Sequence, residues 1–403
     1  MLATRALTAT VVALVVFLSG SAASAQSSGR SLGAAFFPPV PVRGPIVLYP
    51  TLTITGEYND NILLDNNRRQ SDFIIGITPG ARLILERETY RWAAGYSFTA
   101  EKYLDHSELD SAFQRQHFFL EGWHRVDPRL TLTLSEVFVE SNDTNLVTEE
   151  GIAVGRRTAR SNAFSPGLTW QLAPQTSLSA GFSHTLQRFD DAAALDSDVY
   201  RLHVDVNHDV TSRLTGSLGY EARYIDVEGQ LGTTTHTPRV GVSYQFTPTL
   251  TGTLTAGPTV IVTRHDSTVG PYVNAYLTQR FAWGSASAYF NRSVGTAGGL
   301  GGTTENTSLG GVLQATTLLR NLVLELAPRY TIAESVGGGG AVNVHSFTVD
   351  LRAAYRVTHW LAAVGGYRFF QQRAESALST LARDVDQNRV FFGLEFGWPF
   401  KFD

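Results

Sequence analysis

The stretch "NRVFFGLEFGWPFKFD", residues 388–403, decides the fold. Taken alternately, one set of side chains is Val390, Phe392, Leu394, Phe396, Trp398, Phe400 and Phe402. The other set is Arg389, Phe391, Gly393, Glu395, Gly397, Pro399 and Lys401. Successive side chains of a strand point to opposite faces. The stretch is therefore a strand with an aromatic stripe on one face and charges and glycines on the other. Strands of soluble sheets usually run about five or six residues; this one is far longer.

The same pattern extends back to Val47. "PTLTITGEY" sets Leu52, Ile54, Gly56 and Tyr58 against Thr51, Thr53, Thr55 and Glu57. "YRWAAGYSFTAE" sets Tyr90, Trp92, Ala94, Tyr96, Phe98 and Ala100 against Arg91, Gly95, Ser97, Thr99 and Glu101. "LTLTLSEVF", "SLSAGFSHTL", "RLTGSLGYEARY" and "TLTGTLTAG" repeat the scheme. Runs of about 10 to 14 residues match the tilted strand that crosses a bilayer. Short connections at 87–89, 126–129, 173–176, 247–249 and 319–321 alternate with longer ones at 59–72, 141–161, 296–307, 335–343 and 374–387. An outer-membrane barrel is strung in this way, with turns on one side and loops on the other. A leucine after a short turn recurs at Leu178, Leu214 and Leu250, 36 residues apart, and Ala286 and Leu322 continue the spacing. The repeating unit is one hairpin, without the signature of a propeller. The fold class predicted is all-β: a transmembrane up-and-down antiparallel β-barrel of about 18 strands, with 16–18 compatible.

The start of the chain supplies a route to the membrane. Arg5, an apolar run to Leu18, and Ala23-Ser24-Ala25 before Gln26 have the layout of a cleavable secretory signal. Residues 1–25 are read as signal peptide and 26–46 as a proline-rich periplasmic segment (Pro38, Pro39, Pro41, Pro45), extended and short of secondary structure. Residues 47–403 are read as the barrel, in the outer membrane of a Gram-negative bacterium. After the signal, no apolar run is long enough for a spanning helix. The absence of cysteine removes disulfide scaffolds and thiolate metal sites together. A formal net charge of -4 argues against a nucleic-acid binder.

Catalytic signatures are scarce. The glycine runs 298–302 and 337–340 open no helix and cradle no phosphate. His265 and Ser267 have the spacing of an outer-membrane hydrolase pair, but "RHDSTVGP" reads as a loop. Asp60, Asp65 and Asp72 read as turn formers rather than as a calcium loop. The expectation is no enzyme, no cofactor and no metal.

The wall assignment carries the function. With the apolar face outward, Trp92, Phe98, Tyr220, Tyr244, Tyr367, Phe396, Trp398 and Phe402 face lipid. Arg82, Arg91, Arg223, Arg239, Arg280, Arg329, Arg352, Arg356, Arg368 and Arg389 line the lumen, with Glu57, Glu101, Glu221, Glu325 and Glu395. Opposite charges on neighbouring strands pair and stiffen the wall. An excess of arginine would also bias a pore toward anions.

Residues 57–110 resemble the beta-barrel porin 2 family. Its members show a strand ending Tyr-x-Asp-Asn, then Ser-Asp opening a strand with an internal Pro-Gly, then a tyrosine-rich strand. Those features fall here on Tyr58, Asp60, Asn61, Ser71, Asp72, Pro79, Gly80, Tyr96 and Tyr103. The resemblance implies an outer-membrane barrel of the kind associated with exopolysaccharide systems, without naming a substrate. The function expected is a porin-like channel for polar solutes, including an anionic saccharide in export. The alternative is a closed structural or adhesion barrel that does not conduct. Partners expected are outer-membrane lipid, periplasmic export components meeting the proline-rich segment, and the barrel-assembly machinery. That machinery reads a terminal aromatic residue; Phe402 has the right phase, but Asp403 follows it.

Overall fold

The computed structural model describes residues 45–113, 115–148, 150–264, 266–336, 342–376 and 380–402. The expected signal peptide and most of the proline-rich segment lie outside the described residues, as does His265. The strands are β1 (Ile46–Asn59), β2 (Asp72–Glu86), β3 (Tyr90–Phe98), β4 (Ala100–Tyr103), β5 (Gln116–Arg125), β6 (Leu130–Asp143) and β7 (Arg156–Ala173). Then come β8 (Thr176–Phe189), β9 (Ser197–Asp209), β10 (Leu214–Val227), β11 (Thr233–Gln245), β12 (Leu250–Val262) and β13 (Ser267–Phe281). The chain ends with β14 (Gly284–Thr296), β15 (Thr303–Ala315), β16 (Leu322–Ser335), β17 (Val342–Arg356), β18 (Leu361–Ser376), β19 (Val385–Gly397) and β20 (Phe400–Phe402).

Two of these are interrupted single strands. β3 and β4 both pair with β2 and break at Thr99. β19 and β20 both pair with β1 and break at Trp398-Pro399, where proline has no N–H to donate. Twenty runs therefore make eighteen strands, each antiparallel to the next. The last strand returns to the first, from Thr51 opposite Gly397 to Asn59 opposite Arg389. The sheet is a closed barrel of eighteen strands, as the hairpin repeat predicts.

The short turns explain that repeat. In Val126-Asp127-Pro128-Arg129-Leu130 the Asp127 carboxylate accepts the N–H groups of Arg129 and Leu130 at 2.7 and 3.0 Å. Thr211, Thr247 and Thr358 do the same with their hydroxyls, each accepting the N–H of the leucine three residues on. A side-chain oxygen that mimics a backbone acceptor fixes a tight turn. The leucine then starts the next outward stripe.

Alternation sets the two faces. On β19, Phe391 is 3% exposed and its neighbour Phe392 is 67% exposed. Arg389, in phase with Phe391, bonds Asp143 at the end of β6, several strands around the wall, so that face is the interior. Leu254 and Thr253 divide in the same way: the leucine is exposed on the apolar face, and Thr253 donates to the Ser243 hydroxyl on the polar one. Leu254→Arg should therefore cost about 2–4 kcal/mol if this site is near the bilayer midplane. Thr253→Arg should cost much less. Denaturant unfolding of both variants in lipid vesicles checks this, and equal costs would mean the faces are reversed.

Candidate functional site

The inner face changes character along the barrel axis. Toward the short-turn end the charges of β2, β3 and β5 are wet. Arg82 lies 3.8 Å from Glu121, whose side chain is 61% exposed, and Arg91 lies 4.0 Å from Glu86, also exposed. Arg280, near the end of β13, is exposed as well. At mid-strand and toward the long-loop end the charges are mostly dry and bonded into three groups.

The first group is centred on Arg389. Its guanidinium donates to Glu57 at 2.8 Å and to Asp143 at 2.6 Å. Arg115 bonds the same Asp143 at 2.8 Å and pairs with Glu101 at 3.0 Å. Arg156 stands 3.8 Å from Asp143 and lies over the Tyr103 ring. The second group surrounds Glu221, which takes Arg201 at 2.7 Å, Arg239 at 2.8 Å and Arg223 at 3.0 Å. Arg239 also holds Asp205. In the third, Arg368 donates to Asp350 at 2.6 Å, and Arg352 sits 4.0 Å from that carboxylate. Arg352 is opposite Glu325 in register, and Arg356 is opposite Ala362. Arg329 donates to the Thr331 hydroxyl, and Glu395, opposite Ala362 at the short-turn end of β19, is buried as well.

Of the residues singled out from sequence, the structure thus brings Arg389 to Glu57, and Arg223 and Arg239 to Glu221. Glu101 joins the first group through Arg115. Arg115, Arg156 and Asp143 are not among the residues singled out from sequence: Asp143 and Arg156 fall within the long connection 141–161, and Arg115 falls outside the alternating runs. The one signal available was excess charge beside a strand end. Among the aromatic residues assigned to lipid, Tyr220, Tyr244, Trp398 and Phe402 are exposed, and Trp92, Phe98, Tyr367 and Phe396 are half-buried.

One expectation is corrected. Residues 141–161 were read as an exposed loop outside the barrel. Instead residues 143–148 and 150–154 enter the lumen, and Thr144, Ile152, Ala153 and Val154 are buried. Gln372 of β18 holds it from both sides, accepting the Ala153 N–H and donating to the Ala153 carbonyl, both at 2.8 Å. The Thr148 hydroxyl closes the turn by accepting the Ile152 N–H at 2.8 Å. Ile152 and Val154 pack with Leu300, Val342, Val344 and Leu381 in an apolar core inside the barrel. The physical reason is the burial of this apolar run, "IAV", which would face water if the loop pointed outward.

The first connection, after β1, seals the rim beside this plug. Gln387 donates to the Asn61 carbonyl at 2.9 Å, and Asn61 donates to the Asp386 carbonyl at 3.0 Å. Asp60, Asp65 and Asp72 have separate partners: Asn388 and Arg69, Arg383, and His106 respectively. Burial opposes the charge of Asp65, but the Asn67 N–H, Arg383 and Arg68 together hold its carboxyl below the usual carboxylate range. A carboxyl lowered on folding stabilises the fold at neutral pH and loses that contribution as pH falls through its folded value.

No protein family matches the chain, and no curated protein does. Solved structures that resemble it include Pseudomonas aeruginosa OpdO, at 13% identity, 88% of this chain, 97% of that one and a TM-score of 0.44. Acinetobacter baumannii OccAB4 gives 12% identity, 90% and 100% coverage and a TM-score of 0.45. Pseudomonas aeruginosa OpdL gives 12%, 88%, 99% and 0.45. Scores this low carry nothing over to the site. The closed eighteen-strand wall, apolar outside and charged within, itself defines an outer-membrane β-barrel.

Two tests follow from the plug. Removing Arg389 leaves Glu57 and Asp143 buried without their main partner, and breaking a buried pair in this way costs about 3–5 kcal/mol. Arg389→Met should lower the melting temperature far more than Arg280→Met. Equal melting temperatures would contradict the arrangement. Protease added to intact cells should spare 143–154 and cut 104–113, where Leu104 and Phe113 are exposed. Cleavage at Ile152 would place the segment outside.

Proposed function

We propose that the protein is an outer-membrane channel for small polar solutes, open as a vestibule at its short-turn end and closed by its own loops at the other. The observation that carries this is the contrast on the β2–β6 side of the inner wall, between the exposed Glu121 near the short-turn end and the buried Arg115 and Asp143 near the loop end. An eighteen-strand barrel is wide enough for water, and here it takes an inserted segment to seal it. The short turns lie in the periplasm and the long loops outside, by the usual threading of such barrels.

The finer reading is an anionic saccharide as solute, moved in exopolysaccharide export. Its support is the arginine-rich wall and the resemblance of residues 57–110 to the beta-barrel porin 2 family. Carboxylates answer many of these arginines, so charge selectivity should be mild and should weaken as salt shortens the Debye length, about 8 Å at physiological strength. Periplasmic export components are the partners this reading requires, and the proline-rich segment is the part of the chain available to meet them.

A non-conducting structural barrel is the second reading, favoured by the dry core around Ile152 and Leu300. Planar-bilayer recordings separate the two. Replacing residues 145–154 with a short glycine-serine link should raise unitary conductance, with a mild anion preference under a KCl gradient. If the plugless barrel stayed silent, the channel reading would fail. A cation-selective reversal potential would remove the anionic solute and leave the channel.

A further inference from the structure

The barrel wall is incomplete in one place. β13 pairs with β12 along its whole length, from Leu250 opposite Gln279 to Val262 opposite Ser267. Toward β14 its pairing stops at Val273 opposite Arg292. Residues 267–272 have no strand partner on that side among the described residues. Above Arg292, β14 and β15 remain paired with each other up to Thr296 opposite Thr303, but their tip leans into the barrel. There Arg223 donates to the Val294 carbonyl. The Thr303 hydroxyl donates to that of Thr233 at 2.9 Å, and the Gly302 N–H to the Gln230 side chain at 2.8 Å. Val294 is buried against Ile225, Val227 and Ile261.

This leaves an open strand edge. The Arg280 N–H bonds the Thr249 carbonyl next to β12. Antiparallel partners alternate sides, so the odd-numbered residues of β13 aim their N–H and C=O toward β14. In the unpaired stretch these are Ser267, Val269 and Pro271. The Ser267 N–H is taken by Asp266 at 2.7 Å, and Pro271 has none. The Val269 amide and three carbonyls remain without a strand, beside a Val269 side chain 70% exposed. Lipid offers such groups no hydrogen bonds, so an edge left open there is unstable.

We propose that the β14–β15 tip has two seats, the tucked one seen here and a zipped one in which residues 293–296 pair with β13 and complete the wall. Continuing the register sets Tyr272 opposite Ser293, Pro271 opposite Val294, Gly270 opposite Gly295, and Val269 opposite Thr296. Val294 has apolar surroundings in both seats: it shares the outward face of β14 with Phe290 when zipped, and meets Ile225 and Ile261 when tucked. Gly270 permits the tucked seat, because a Cβ there would run into the Glu305 carboxylate, which is paired with Arg292 at 2.5 Å. Tucking puts the tip in the lumen and opens the wall; zipping does the reverse. The effect on conductance rests on the channel reading above, but the two seats themselves do not.

The chain has no cysteine, so introduced pairs report without interference. Gly270→Cys with Gly295→Cys would form a non-hydrogen-bonded cross-strand pair, about 4.5 Å between Cα atoms when zipped and within disulfide reach. Thr233→Cys with Thr303→Cys would lock the tucked seat. Under mild oxidation in native membranes both disulfides should form. The 270–295 lock should raise unitary conductance, the 233–303 lock should lower it, and reduction should reverse both. Gly270→Ala, which disfavours tucking without a crosslink, should raise open probability. Complete 233–303 oxidation with no 270–295 disulfide in folded barrels, and no effect of Gly270→Ala, would overturn the proposal. Both disulfides forming in barrels that never conduct would uphold the two seats and overturn the channel reading.

Discussion

A backbone that crosses lipid has to bond each of its N–H and C=O groups within the protein, because the hydrocarbon core supplies no partner. For strands the only general solution is closure, and here closure rests on β1 pairing with β19 from Thr51 to Asn59. Much else follows from that seam. It fixes which face is outward, so the terminal stripe of Phe392, Phe396, Trp398 and Phe402 lies on the outer wall. It also carries Arg389 inward next to Glu57, where a charge would be very costly alone. The same rule makes the missing pairing of Val269 and Pro271 with β14 conspicuous.

The interior is organised by a second constraint: a charge removed from water needs a partner of opposite sign and satisfied hydrogen bonds. Asp143 meets this from the end of β6 by accepting from Arg389 and Arg115 together. That contact pulls the chain after β6 toward the middle of the barrel, and Gln372 then fixes its backbone. Apolar residues of the loops and rims can pack behind the polar collar. The result is a barrel whose long-loop end is sealed by a small hydrophobic core, while the charges of β2, β3 and β5 at the short-turn end stay exposed.

The wall was legible in the sequence because period two is a local signal that persists through eighteen strands. The stripe at 388–403, the alternation of "YRWAAGYSFTAE" and the capped turns before Leu130, Leu214 and Leu250 each report it independently. The plug was not legible. "LVTEEGIAVG" is irregular and polar at one end, and nothing local says whether such a loop points out or in. Its placement depends on Asp143 finding an arginine 246 residues away and on Gln372 finding Ala153, 219 residues away. The inward arginines could be assigned by parity, but their partners could not, since Arg115 and Asp143 lie where strand gives way to loop. The break in β13–β14 pairing had one faint mark, the proline at 271.

The central claim is that the lumen opens to one side and is sealed from the other. In the cysteine-free background, Glu121→Cys and Gln372→Cys can be made singly and exposed to a large, membrane-impermeant maleimide from either face of an oriented membrane. Cys at 121 should label quickly from the short-turn side and not from the loop side, and Cys at 372 should resist from both. Fast labelling of position 372 from the loop side would show an open mouth there, and the sealed end described here would be wrong.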